Sequence, residues 1–313
     1  MPSPSVIELS ALLEPIPGDA PAGDPRAYVC GLREQFEALR QEERPEDFDD
    51  ATRPAVLKRA DWPKLQEVAQ EALVHTSKDL RVACHLLEAL AKTKGFAGVR
   101  DGLELLRRLL DECWDRLVPE IDDGDLDSRA APLANMLDDP DRGLRFPTTL
   151  RFIPLLGSAA DGFGLVDCNR LRTSNDDAEV EAFNGALKGT NVDQLAARVD
   201  DAEACPNEVK ALVEVMDRRL AGDAPSLINL GTAVNECLQF MKPELARLRP
   251  ALLPEESAEE GVPTVAASSN GKPAAGGMNA ENVVNSRAQA DAQLRQAADV
   301  AQHKETHSPQ AYL

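Results

Sequence analysis

The sequence has few aromatic residues, few histidines and no surplus of basic charge. Aromatics make up 4% of its 313 residues, and 54 acidic side chains outnumber 34 basic ones, for a net charge of -20. A field of that sign repels phosphate backbones and anionic lipid head groups, so we expect no nucleic-acid partner. Because Leu, Ala and Val supply the apolar residues in place of aromatics, the composition favours helices over sheets.

Long apolar runs and export signals are also missing from the sequence. No segment approaches the roughly 20 apolar residues that span a bilayer, and residues 1–17, with prolines and no cationic start, are unlike a signal peptide. Six scattered cysteines without a Cys-x-x-Cys pair are typical of reduced core thiols: Cys30, Cys84, Cys113, Cys168, Cys205 and Cys237. The sequence therefore predicts a cytoplasmic protein without direct membrane insertion.

The residue patterns of catalytic and metal sites are not found in the sequence. Only His303 and His307 share the four-residue spacing that places two rings on one helix face, and a nearby proline disfavours a rigid metal site. Gly95, Gly98 and Gly102 follow no strand and precede no Gly-Lys-Ser/Thr, which indicates a helix end and a close helix crossing. No Gly-x-Ser-x-Gly elbow occurs. We therefore predict no enzymatic activity, no metal and no cofactor.

What the sequence does have, from Asp61 to Trp114, is apolar residues at the three-to-four spacing of half-buried helices. Three stripes follow one another: Trp62, Leu65, Val68 and Ala72; Leu80, Ala83, Leu87 and Leu90; Leu103, Leu106, Leu110, Cys113 and Leu117. Thr76 and Asp79 have the spacing of a capping box for the second helix. Consecutive helices with short connections pack antiparallel, so this block predicts a helical bundle.

Composition divides the chain into four parts and predicts an all-α fold class. We expect an amino-terminal helical bundle over residues 1–156 and a second, middle helical domain over residues 165–250, with a glycine-containing loop between them. Residues 251–279 have almost no large apolar group, which predicts a flexible linker. Residues 280–313 contain an Ala-rich carboxyl-terminal helix that is weakly apolar and so needs a partner.

The order and spacing of short motifs in the first block give a more specific indication. Together they resemble the ImpA amino-terminal domain of TssA-like proteins of type VI secretion systems. The motifs are Gly23-Asp24-Pro25-Arg26, Asp61-Trp62, Ser77-Lys78-Asp79-Leu80-Arg81-Val82, Gly98-Val99-Arg100-Asp101-Gly102-Leu103, Trp114-Asp115, Pro119, Asp122-Asp123-Gly124-Asp125 and Arg129. Near the chain end, Ser286-Arg287, His307-Ser308-Pro309 and Tyr312-Leu313 resemble the start of the carboxyl-terminal domain of the same proteins.

This resemblance implies a non-catalytic component that organises the baseplate and the polymerising tail tube and sheath of the secretion machine. The implied partners are baseplate, tube, sheath and membrane-complex proteins. Relatives form rings through their carboxyl-terminal part, which implies a homo-oligomer when that part is complete. Because the motif breaks off at Leu313, ring formation by this chain alone is not expected.

Two readings remain open for the motif residues. Trp62 and Trp114 are expected to be core anchors. Asp79 and Arg81 are either a helix cap with a surface charge, or an inter-helix ion pair or partner-facing patch. The alternative function is a helical-repeat peptide-binding adaptor, which predicts an open apolar groove instead of a closed bundle.

Overall fold

The computed structural model describes residues 1–49, 52–141, 143–157 and 162–249. In these ranges the chain forms helices and no extended strand, which confirms the all-α class. The ten α-helices are α1 Leu9–Leu13, α2 Arg33–Arg40, α3 Trp62–His75, α4 Leu80–Glu112, α5 Asp127–Leu137, α6 Arg145–Arg151, α7 Leu165–Arg172, α8 Asp177–Gly189, α9 Val192–Leu220 and α10 Ile228–Leu248. A π-helical turn, Tyr28–Leu32, leads into α2, and short 3-10 turns lie at Pro45–Asp47, Trp114–Arg116 and Ala221–Asp223.

Helix α4 is the centre of the fold and bends into a hairpin at Gly95. Its backbone there has φ 61° and ψ −139°, which glycine tolerates because it has no Cβ. The two arms, residues 80–94 and 96–112, lie side by side, since Gly98 abuts Leu90 and Gly102 abuts Leu87. A Cβ on Gly98 would stand 2.2 Å from the Leu90 carbonyl oxygen. The structure thus contains the close helix crossing that these glycines predict.

Helix α9 packs along α4 in the most extensive helix contact of the described residues. Apolar residues of α9, among them Leu195, Ala202 and Leu212, are fully buried. At the edge of the contact, Arg107 Nε lies 2.9 Å from Glu208 Oε2. Helix α3 covers another side of α4, and α10 packs on α9 and α6. The described residues therefore lie in one compact unit.

The two expected domains, residues 1–156 and 165–250, pack closely against each other. The loop at Gly157 divides the two blocks along the sequence, but their apolar residues join a single core cluster. The physical reason lies in α4, which is buried on nearly all sides. A helix with apolar residues on every face must be buried on every face. Helix α9 packs on the face of α4 that the amino-terminal helices leave uncovered.

The start of α4 also differs from the prediction. Asp79 is the N-cap, and its Oδ1 accepts the backbone N–H of Arg81 at 2.8 Å. Thr76 instead ends α3, where its own N–H donates to Ala72 O. The sequence has the spacing of a capping box, but α3 ends at Thr76 and α4 begins only after Asp79.

The linker at 251–279 and the segment at 280–313 lie outside the described residues. Within the described part of the chain, no helix has the length and apolar character needed to cross a membrane. Five of the six cysteines are buried and only Cys30 is exposed, all of them as free thiols.

Candidate interaction site

Segments that are far apart in the sequence meet at the amino-terminal end of α4. The N–H of Asp24 donates to Thr76 O (2.8 Å), and the N–H of Lys78 donates to Ala22 O (2.8 Å). On the other side, the N–H of Val118 donates to Lys78 O (2.9 Å). Motif segments from three regions therefore hold the connection between α3 and α4 in place.

Lys78 is fully buried at this junction. Its Nζ donates to the backbone oxygen of Leu12 at 2.7 Å, which fastens α1 to the start of α4. Burial lowers the pKa of the ammonium to about 8, because the charged form loses its hydration. This motif residue therefore contacts another segment of the same chain inside the fold.

Asp79 both caps α4 and forms an ion pair with Arg81. Arg81 Nη2 lies 2.6 Å from Asp79 Oδ2, and the Asp79 side chain is fully buried. Burial raises the pKa of this carboxyl, and the adjacent Arg81 guanidinium opposes that shift. The guanidinium also lies over the Tyr28 ring, 4.5 Å from its centroid. The pair is local to the start of α4 and joins it to the turn before α2.

Arg129 organises the chain between α4 and α5. Its Nε donates to Pro119 O (2.8 Å), Nη1 to Trp114 O (2.6 Å) and Nη2 to Leu117 O (3.0 Å). Burial lowers the pKa of the guanidinium, with Asp115 acting in the opposite direction. One side chain thus satisfies three backbone acceptors that no helix pairs.

The two tryptophans are half-buried and pack against the core cluster. Lys92 Nζ lies 5.6 Å from the Trp62 ring centroid, and Trp114 lies under Arg129 at 4.4 Å and Arg219 at 5.5 Å. An indole packs one face on the core and offers the other to a cation. The fully buried positions go instead to leucines of α4.

The remaining motif residues also have structural positions where they are described. Asp61 caps α3 by accepting the N–H of Lys64 at 3.0 Å, Leu80 is fully buried, and Ser77 is buried. The predicted residues His307, Ser308 and Pro309 lie outside the described residues.

A surface groove opens beside this junction and has a volume of about 590 Å³. That size lies within the range of ligand-binding clefts, roughly 300 to 1,000 Å³. The groove is lined by Tyr28, Arg33, Glu37, Arg40, Arg81, Cys84, His85, Glu88, Pro119, Ser128, Ala131, Pro132, Asn135, Met136, Arg145 and Phe146. These residues come mainly from α2, α4, α5 and α6, so the groove exists only where the four helices meet.

Four arginines line the groove against two glutamates, on a chain with net charge -20. Arg33 pairs with Glu37 at 2.9 Å and Arg40 with Glu88 at 2.9 Å. Arg145 is exposed and has no ion pair with any described residue. The lining is therefore a locally cationic surface on an acidic protein.

His85 and Tyr28 form the buried end of the groove. His85 Nε2 and the Tyr28 hydroxyl are joined by a hydrogen bond of 3.0 Å, and the rings stack with centroids 5.9 Å apart. Burial, followed by the charge of Arg40, lowers the pKa of His85 to about 3. The imidazole is thus neutral at physiological pH, and the positive charge of the groove comes from its arginines.

This buried histidine predicts acid lability. Between its ordinary pKa of 6.5 and its folded value of about 3, the unfolded chain binds the proton that the folded chain excludes. This histidine therefore costs no stability above pH 6.5. Below that pH the free energy of unfolding falls, with a slope approaching about 1.4 kcal/mol per pH unit. Urea unfolding between pH 7 and 4.5 should show a shallower pH dependence for His85→Gln than for the parent.

The exposed His75 provides the control for that experiment. His75→Gln should keep the parent's pH dependence. Equal slopes for His85→Gln and the parent would contradict the buried-histidine explanation.

The sequence motifs mark the start of α4, but not the groove. Arg33, Arg40 and Arg145 are spaced like ordinary solvated helix charges, so no motif distinguishes them. Their proximity depends on how α2 and α6 pack around α4, and that information is tertiary.

The comparisons with known proteins agree with this architecture. The family model described as ImpA, N-terminal, type VI secretion system, matches residues 13–138. That segment contains the whole α3–α4 junction, the α4 hairpin and Arg129, and it is therefore an ImpA amino-terminal domain. The match covers the first part of the chain, which is similar to the TssA component reported next.

The type VI secretion system component TssA1 of Pseudomonas aeruginosa is 32% identical over 202 residues, which cover 64% of this chain and 54% of that protein. The chain thus spans about half the length of the curated relative. A solved structure of the amino-terminal domain of the TssA component from Burkholderia cenocepacia, which includes the conserved ImpA_N region, matches with a TM-score of 0.61 at 24% identity. It covers 79% of this chain and 98% of that one, and it shows the fold.

Proposed function

We propose that this chain is a non-catalytic assembly component of a type VI secretion system that organises the baseplate and the polymerising tube and sheath. Its partners are baseplate, tube, sheath and membrane-complex proteins, and it works in the cytoplasm, as a homo-oligomer when the carboxyl-terminal part is complete. The observation that carries the proposal is the family match over residues 13–138, together with the similarity to a protein named as a component of this system. The motif residues that are described stabilise a helical scaffold, which suits an assembly role.

A binding experiment with purified components tests the proposal. The full chain, immobilised on resin, should retain at least one tube, sheath, baseplate or membrane-complex protein. An unrelated helical protein of similar negative charge controls for retention by charge alone. If no component is retained above that control, the proposed function is wrong.

The alternative is a helical-repeat peptide-binding adaptor, for which the groove beside α2 is the candidate peptide site. It predicts that the groove binds peptides while none of the secretion components is retained. The same pull-down therefore distinguishes the two functions.

A further inference from the structure

The groove between α2, α4, α5 and α6 combines free hydrogen-bond donors with apolar side chains. Nη1 of Arg33, Arg40 and Arg81 donates to no acceptor among the described residues, and neither does any nitrogen of Arg145. A guanidinium has five N–H donors, so each paired arginine retains capacity for another acceptor. Carboxylates match this geometry, because two parallel N–H groups can bind both oxygens.

Apolar side chains lie among the charged ones in the groove lining. Cys84, Pro132 and Phe146 are buried, whereas Met136 is half-buried and remains accessible. The flexible thioether of methionine adapts to apolar side chains of different shape. A ligand that fits this lining must therefore combine carboxylates with an apolar group.

The dimensions of the groove favour a peptide. The lining residues of α2 extend from Arg33 to Arg40 and those of α4 from Arg81 to Glu88. Each stretch is about 10 Å long at the helical rise per residue. That length holds roughly three extended residues or two turns of a helix. Acidic side chains beside an apolar one are readily presented by such a segment.

We propose that this groove is a docking site for an acidic peptide segment with an apolar anchor, carried by a partner protein. The inference rests on the proposed function for the identity of the partner, which is a type VI tube, sheath or baseplate protein. The acidic surface elsewhere on the chain repels such a segment, so the charges direct it to this groove.

Overlapping 15-residue peptides from tube, sheath and baseplate proteins, titrated against the full chain by fluorescence anisotropy, test the proposal. Peptides that bind should have at least two carboxylates adjacent to a large apolar residue. Arg145→Glu should weaken their binding about tenfold or more, because it reverses the unpaired charge of the groove. Replacing a peptide glutamate by lysine should restore part of the affinity for that variant.

Lys188→Glu is the matched control, since it makes the same charge change at an exposed residue of α8, outside the groove lining. It should leave binding within about twofold of the parent. Circular dichroism should show both variants folded, as neither residue is buried. Equal weakening by the two variants, binders without acidic enrichment, no binding peptide, or competition by a short oligonucleotide would each overturn the proposal.

The two proposals fail in different ways. If intact components are retained equally by the parent and Arg145→Glu, the groove is not the docking site and the assembly function stands. If peptides bind as expected but no intact component is retained, the groove is a peptide site and the assembly function fails.

Discussion

Replacing Gly98 with alanine is expected to cost about 3 kcal/mol or more of unfolding free energy. The new Cβ would stand 2.2 Å from the Leu90 carbonyl oxygen and 2.6 Å from its carbon. Backbone atoms cannot rotate away, so the two arms of the α4 hairpin must separate. Because α1, α3, α5, α6 and α9 all pack directly against those arms, separating the arms disturbs the core on several sides. Urea unfolding followed by circular dichroism measures the loss as a lower midpoint.

Alanine substitutions at two other glycines, where the added Cβ meets softer contacts or none, test whether the close contact at Gly98 causes the loss. At Gly102 the nearest atom, 2.6 Å from the added Cβ, is the Leu87 Cδ1 methyl, which can move, so we expect a smaller loss of about 1 to 2 kcal/mol. Gly185 in α8 has nothing within 4 Å, and alanine there should stabilise the protein by about 0.5 to 1 kcal/mol. An unfolding midpoint for Gly98→Ala equal to that of the parent would show that the arms adjust without cost.

Replacing Arg129 with methionine is expected to cost about 3 kcal/mol. The variant preserves much of the side-chain volume against Trp114 but removes the donors to three carbonyl oxygens, those of Trp114, Leu117 and Pro119. Arg129→Lys should fall between the parent and Arg129→Met, because a single ammonium cannot reach all three acceptors. Thermal and urea unfolding should rank the three proteins in that order.

Arg170→Met is the control for Arg129. Arg170 is exposed and pairs with Glu179 on the surface, and such pairs contribute at most about 1 kcal/mol. A loss for Arg129→Met no larger than that for Arg170→Met would mean that water replaces the guanidinium at the three carbonyls.

The helical bundle could be predicted from the sequence because its signals are local. The apolar spacing of α3 and α4 and the glycines of the hairpin are each visible within a short window. The continuous core could not be predicted from the sequence. The loop at Gly157 resembles any domain boundary, and the packing of α9 on α4 joins residues about 100 positions apart. Likewise, the sequence indicates that Asp79 and Arg81 belong to a helix start, but not that the helix begins one turn after Thr76.

The candidate site separates into a part that the sequence specifies and a part that depends on tertiary packing. The motif residues around Lys78 and Arg129 are recognisable as a pattern, and the structure gives them internal contacts. The groove arginines belong to different helices and have no common spacing. They become a site only because α2 and α6 lie beside α4 in the folded protein.

The contact between α4 and α9 determines how this protein can be dissected. The family match ends at residue 138, before α9 begins. A fragment cut at that point would leave one side of α4 uncovered, with leucines facing water and Arg107 without Glu208. The segment that the family model matches is therefore shorter than the compact unit of the described residues, which extends through α10.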